Sequence, residues 1–185
     1  MWSFDVYDTC LTRNYVQPKD VFREVALQYS TELEQHLGEG WVEIFTDTRY
    51  QAQHLASANK KGGEPRLIEI YKQVKKALPF IHEKDYIACE LAVEWASLCP
   101  SIQMIYLTKT ARKKHGKVIF ISDMYLPHKF IKDALTHHGF FQNNDVLYVS
   151  STYNDESKSN GRLFKRVLRD LKIHPSKLTH HGDDA

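Results

Sequence analysis

From Pro18 to about His115 the apolar residues recur every three or four positions, and from Lys117 onward they gather into short continuous runs. The first pattern predicts helices. Val21, Phe22, Val25, Ala26, Tyr29, Leu33 and Leu37 mark one helix that starts after Pro18 and closes at Gly38 and Gly40. A second, from Trp41, carries Val42, Ile44, Phe45, Tyr50 and Leu55 and ends before Lys60-Lys61-Gly62-Gly63. A third begins near Glu64-Pro65, with Leu67, Ile68, Tyr71 and Val74 on one side. The fourth spans His82 to Leu98, with Tyr86, Ile87, Leu91, Val93 and Trp95 as packing residues, and a fifth runs from about Ser101 to His115. Trp41 and Trp95 read as core of this helical section.

The second pattern predicts strands between helices. Lys117–Ser122 is a β-branched run suited to a strand buried on both faces. Pro127–His138 returns to helical spacing, and Gly139 offers a left-handed stop. Val146–Ser150 is a further strand, and Gly161–Ile173 is an amphipathic helix with Leu163, Phe164, Val167, Leu168 and Leu171 on one face. Leu178–Gly182 is a weaker strand, since its middle is polar. Such alternation predicts an α/β layer with a parallel sheet. That sheet starts at residue 3, is interrupted by a helical insertion over 15–112, and occupies 1–14 and 113–185.

The 185 residues, 42% hydrophobic and 26% charged, suit a folded domain rather than a disordered or membrane-spanning chain. A net charge of +2 gives no push toward nucleic acid or anionic membranes. Three cysteines, Cys10, Cys89 and Cys99, lack metal-ligand spacing, and no signal-peptide pattern opens the chain. A reduced, cytoplasmic setting is expected.

Candidate chemistry collects at strand ends: Asp5 and Asp8 after the first strand, Ser122 after the second, Lys158 before the amphipathic helix, and Gly182-Asp183-Asp184 after the last. The carboxyl ends of parallel strands are where ligands bind in such sheets. An acid, a hydroxyl, a lysine and an acid pair, in that order, resemble the haloacid dehalogenase (HAD) superfamily. Phe4-Asp5-Val6-Tyr7-Asp8-Thr9-Cys10-Leu11-Thr12-Arg13 is similar to the F-D-V-F-D-T-L-L-x-R opening of a subgroup often found beside glycosyltransferases. Ile121-Ser122-Asp123-Met124-Tyr125-Leu126-Pro127 is similar to its I-S-D-M-Y-L-P motif. Lys158–Phe164 resembles K-x-x-G-x-L-F, and His180–Asp184 resembles H-x-G-D-N.

The resemblance implies a Rossmann-like core with a helical C1-type cap inserted after the first strand. It implies a phosphatase of small phosphorylated metabolites, with sugar phosphates as a class and a glycosyltransferase as fused or associated partner. Asp5 is the implied nucleophile, forming an aspartyl-phosphate; Ser122 donates a hydrogen bond to the phosphoryl group, and Lys158 pairs with nucleophile and phosphoryl oxygens. Mg²⁺ is the implied cofactor, held by Asp5, the main-chain carbonyl of Tyr7, Asp183 and Asp184.

Two departures from the pattern set alternatives. Phosphatases of this superfamily carry a second Asp, the general acid, where this chain has Tyr7; Asp8 replaces it only if the backbone turns it inward. Dehalogenase members carry an aromatic residue there, so 2-haloacid dehalogenation is a third reading. The core of the family also continues beyond its fourth motif, so a sheet lacking its C-terminal part is expected, and with it the alternative of an impaired binding or regulatory module. Asp123 is expected to cap the helix that follows it. The adjacent pairs His137-His138 and His180-His181 point apart on any regular element and are expected at the surface or behind the site.

Overall fold

The structure, a computed structural model, describes residues 1–183. Strands β1 (Trp2–Phe4) and β2 (Leu11–Arg13) precede helices α1 (Asp20–Gln28), α2 (Ser30–Leu37), α3 (Trp41–Ala58), α4 (Leu67–Ala77) and α5 (Glu83–Ser97). There follow β3 (Leu98–Pro100), α6 (Ile102–His115), β4 (Ile119–Ser122), α7 (His128–His137), β5 (Val146–Val149), α8 (Arg162–Asp170) and β6 (Thr179–His181). The chain divides into two units: residues 1–12, 61–64 and 98–185, and residues 13–60 and 65–97. Periodicity alone groups α6 and the loop at 61–64 with the helical insertion. The fold gives both to the sheet unit, because α6 packs on β1 and the Gly62 carbonyl of the loop accepts from Ser157 and Asn160.

The sheet unit is α/β, with strand order β5-β4-β1-β6 and every pairing parallel. Ile119–Ser122 is buried at all four positions, as its unbroken apolar run requires. One sheet face packs Ile119, Ile121 and Tyr148 against Leu163 and Val167 of α8. On the other face Phe4 meets Phe120, and Trp2 meets His115 of α6. From β1 the chain builds outward to β4 and β5, then returns to place β6 on the opposite side of β1. Order therefore reverses beside β1, and a crevice opens at the carboxyl ends of the strands at such a point.

The helical unit departs from its expected faces. The first helix is two, broken at Tyr29, whose ring stacks on Tyr86 with centroids 3.9 Å apart. On α3 the buried residues are Phe45, Thr46, Arg49, Ala52 and Ala56, whereas Ile44, Tyr50 and Leu55 are exposed. On α5 they are Tyr86, Glu90, Glu94 and Ser97, and Trp95 is 36% exposed rather than core. Charge explains the inversion. Arg49 donates to Glu90 through Nε (2.8 Å) and a terminal nitrogen (2.7 Å), and Tyr71 donates its hydroxyl to the same carboxylate at 2.7 Å. Arg13 pairs with Glu94 at 2.8 Å. Glu90 and Glu94, one turn apart, thus form the inward face of α5, because each has a guanidinium to meet.

Candidate active site

Asp5 leaves the end of β1, its N–H donating to the His181 carbonyl at 2.8 Å, so the strand ladder carries straight into it. The side chain is 6% exposed. Its Oδ1 accepts the N–H of Val6 at 2.7 Å, and its Oδ2 receives the ammonium of Lys158. Burial pushes the Asp5 carboxyl above the usual carboxylate range; Lys158 and the Val6 N–H oppose the rise, and the charge of Asp183 adds to it. The pair lies on a cavity of about 430 Å³, whose wall also includes Tyr7, Asp8, Asp123, Phe164, His180 and Asp183.

The turn after Asp5 is tight. The N–H groups of Cys10 and Leu11 both reach back to the Val6 carbonyl, at 2.9 and 2.8 Å. Asp8 takes φ +57°, the left-handed region that Asp tolerates better than most residues, and it is an exposed member of the cavity wall. Tyr7 lines the same wall and is 7% exposed.

Lys158 owes its place to Asp123. Both oxygens of that carboxylate accept the Lys158 N–H at 2.8 Å, and one also takes the Ser159 N–H at 3.3 Å. The helix α7 starts from Pro127 without a side-chain cap, so the expected capping role of Asp123 is corrected: it ties the lysine loop to the end of β4. From the other side Ser157 donates its hydroxyl to the Gly62 carbonyl at 2.7 Å, and Asn160 donates to the same oxygen at 2.8 Å.

Ser122 does not line this cavity. It ends β4, 1% exposed, with its hydroxyl unpaired among the described residues. Asp183 is on the wall, and the Thr9 hydroxyl donates to it at 3.4 Å. Asp184 lies outside the described residues. Among the described residues no group of three or more His, Cys, Asp or Glu side chains converges as a metal cage. Asp5 and Asp183 instead bring two carboxylates near one another beside Tyr7, a hard-oxygen set of the size Mg²⁺ accepts while keeping several waters.

His180 is the wall residue that the sequence reading set aside. Period-two alternation in β6 puts His181 against Phe4 and Trp2, with centroids 5.0 and 4.9 Å away, and His180 on the other face. There His180 Nδ1 is 2.9 Å from Ser3 Oγ, and the ring meets Phe164 edge-on at 5.0 Å. Burial, with help from Lys158 and His181, depresses its imidazole to about 4, so it is neutral near pH 7. The H-x-G-D spacing that places its neighbour Asp183 on the wall is the signal that marks it.

Solved structures align along nearly the whole chain. An L-2-haloacid dehalogenase from Xanthobacter autotrophicus superposes with a TM-score of 0.58 at 14% identity, covering 97% of this chain and 67% of that one. A second L-2-haloacid dehalogenase gives 0.59 at 16% identity, over 98% and 74%. The protein has the fold of the haloacid dehalogenases. A HAD family enzyme from Bacteroides thetaiotaomicron shares this fold too, with a TM-score of 0.54 at 12% identity over 97% of this chain and 81% of that one. No family model and no curated protein matches the sequence. The segment Trp2–Phe4 is an interior strand of the sheet, paired on both sides, and Asp5 is the first residue beyond its end. Among the described residues no helix is long and apolar enough to cross a membrane.

Proposed function

We propose that this chain is a Mg²⁺-dependent hydrolase of small phosphorylated metabolites, sugar phosphates foremost, with Asp5 as nucleophile. The observation that carries the reading is the buried Asp5 carboxylate, gripped by Lys158 and faced by a second carboxylate, Asp183, on one cavity. Lys158 opposes the upward push of burial on the Asp5 carboxyl and orients it. An Asp5 oxygen bonds to phosphorus as the ester oxygen leaves with a proton; water then displaces Asp5 from phosphorus and releases orthophosphate. Lys158 balances the charge that spreads over the phosphoryl oxygens. Asp8, exposed on the wall, carries the proton to and from the exchanging oxygen. Asp5, Asp183 and the Tyr7 carbonyl would hold Mg²⁺, which supplies positive charge to the phosphoryl oxygens when bound. A glycosyltransferase as working partner belongs to the same proposal and rests on the motif resemblance alone.

Tyr7 favours a second reading, 2-haloacid dehalogenation, because halide leaves carbon without a proton and the fold's neighbours include L-2-haloacid dehalogenases. Asp183 weighs against it, since a second anion beside Asp5 calls for a cation. Phosphate and halide release by the purified chain, compared with Asp5→Asn, decide between them. Phosphate release lost in the variant is the expected result. Asp5-dependent halide release alone transfers the site to the second reading, and equal residual rates in both proteins leave a binding module.

A further inference from the structure

We infer that the neutral hydrogen-bond donor to the substrate's anionic oxygen in this cavity is Nε2–H of His180, fixed in that tautomer by Ser3.

The argument is one of hydrogen-bond satisfaction. Ser3 is fully buried on β1, and its hydroxyl has a single partner among the described residues, Nδ1 of His180 at 2.9 Å. If Nδ1 carried the ring proton, the serine hydroxyl would accept and its own proton would be stranded. A buried donor without an acceptor costs about 1–3 kcal/mol. If the serine donates instead, Nδ1 accepts and the single proton of the neutral ring sits on Nε2. Nothing else among the described residues competes for Nδ1.

Nε2 has no hydrogen-bond partner among the described residues, yet it is not sealed in the protein, and His180 lines the cavity. A methyl group placed on Gly182 would lie 3.5 Å from Nε2 and 3.6 Å from Asp5 Cβ. The donor and the proposed nucleophile therefore flank one small space, kept open because residue 182 has no side chain. Phe164 backs the ring from its edge. Ser3 and Phe164 touch the imidazole, the charges of Lys158 and His181 reach it, and Asp5 lies across Gly182. With the ring neutral near pH 7, Nε2–H acts as a donor there without carrying a charge. Ser122, the donor implied by the motif, does not line the cavity. His180 does.

This assignment rests on the phosphoryl reading above, and the test separates the two. Nitrogen NMR of the 185-residue chain reads the tautomer directly: an unprotonated Nδ1 and a protonated Nε2 are expected, and the reverse overturns the inference whatever the activity. Inorganic phosphate with Mg²⁺ is the binding probe. Gln places its amide nitrogen near Nε2 and Asn places its near Nδ1, so His180→Asn is expected to weaken phosphate binding by roughly 10- to 100-fold, the worth of a bond to a charged group. His180→Gln is expected to recover most of the loss. Phosphate that binds wild type and His180→Asn alike overturns the donor role alone. Phosphate that binds neither wild type nor variants removes the phosphoryl reading, and the donor role with it.

Discussion

The carboxylate of Asp123 holds the backbone N–H of Lys158 with both oxygens at 2.8 Å, across 35 residues of sequence. The Asp5 partner is therefore positioned by the end of the neighbouring strand, not by its own helix. Asp123→Ala should lower stability by about 2–3 kcal/mol, the worth of the charge-assisted bonds. It should also cut kcat more than it raises KM, because Lys158 stays in the chain but loses its anchor. Thermal melting and steady-state kinetics check the two effects; an unchanged kcat would remove the positioning role.

The titration of His180 sets a limit in acid. Its folded value of about 4 lies below the ordinary 6.5, so between these values the unfolded chain binds more protons. Stability should be fully present above pH 6.5 and fall as pH drops toward 4, by an amount on the order of 1 kcal/mol after allowance for partial exposure. His180→Asn should flatten that slope. Urea unfolding at stepped pH measures it.

Asp5 acts with the opposite sign. Its carboxyl is raised above 3.8, so the folded chain holds the proton longer, and this contribution is lost as pH rises past 3.8. Asp5→Asn should gain in stability relative to wild type as pH climbs from acid toward neutral. A difference that shrinks over that range would show that Lys158 outweighs the burial.

In the helical unit Arg49 and Glu90 are both without solvent exposure. Arg49→Met leaves Glu90 buried as an uncompensated anion and should cost about 3–5 kcal/mol. Arg49→Met with Glu90→Leu removes both charges and should recover much of that loss. A double-mutant cycle by denaturant unfolding checks the coupling.

Gly63 sits where a Cβ would lie 2.4 Å from the Asn154 carbonyl oxygen, which is backbone and cannot rotate away. Gly63→Ala should therefore force the 61–64 loop off residues 154–155 and cost about 1–3 kcal/mol. Gly116→Ala has open space but a positive φ, so its smaller loss reports backbone strain without contact. Melting curves of the two variants separate the effects.

The order of helices and strands was legible in the chain because backbone geometry imposes periods of 3.6 and 2 on whatever must be buried. Lys117–Ser122 and Gly161–Ile173 announced their elements that way, and the strand-end residues Asp5, Lys158 and Asp183 meet on one cavity. Where burial is carried by charge, the same rule misleads. Glu90, Glu94 and Arg49 lie outside the apolar stripes that mark these helices, and the pairings that bury them span 41 and 81 residues of sequence. Asp123 failed in the same manner, since a carboxylate after a strand satisfies a local cap as readily as a distant loop. The sequence by itself determined the parallel α/β layer, the helical segment between its first two strands, and the chemical types offered at the strand ends. Only the tertiary structure decided that His180 rather than Ser122 lines the cavity, that Asp8 lies on its wall, and that Asp123 anchors Lys158. Those choices depend on register and loop closure, which bring together atoms that no local pattern relates.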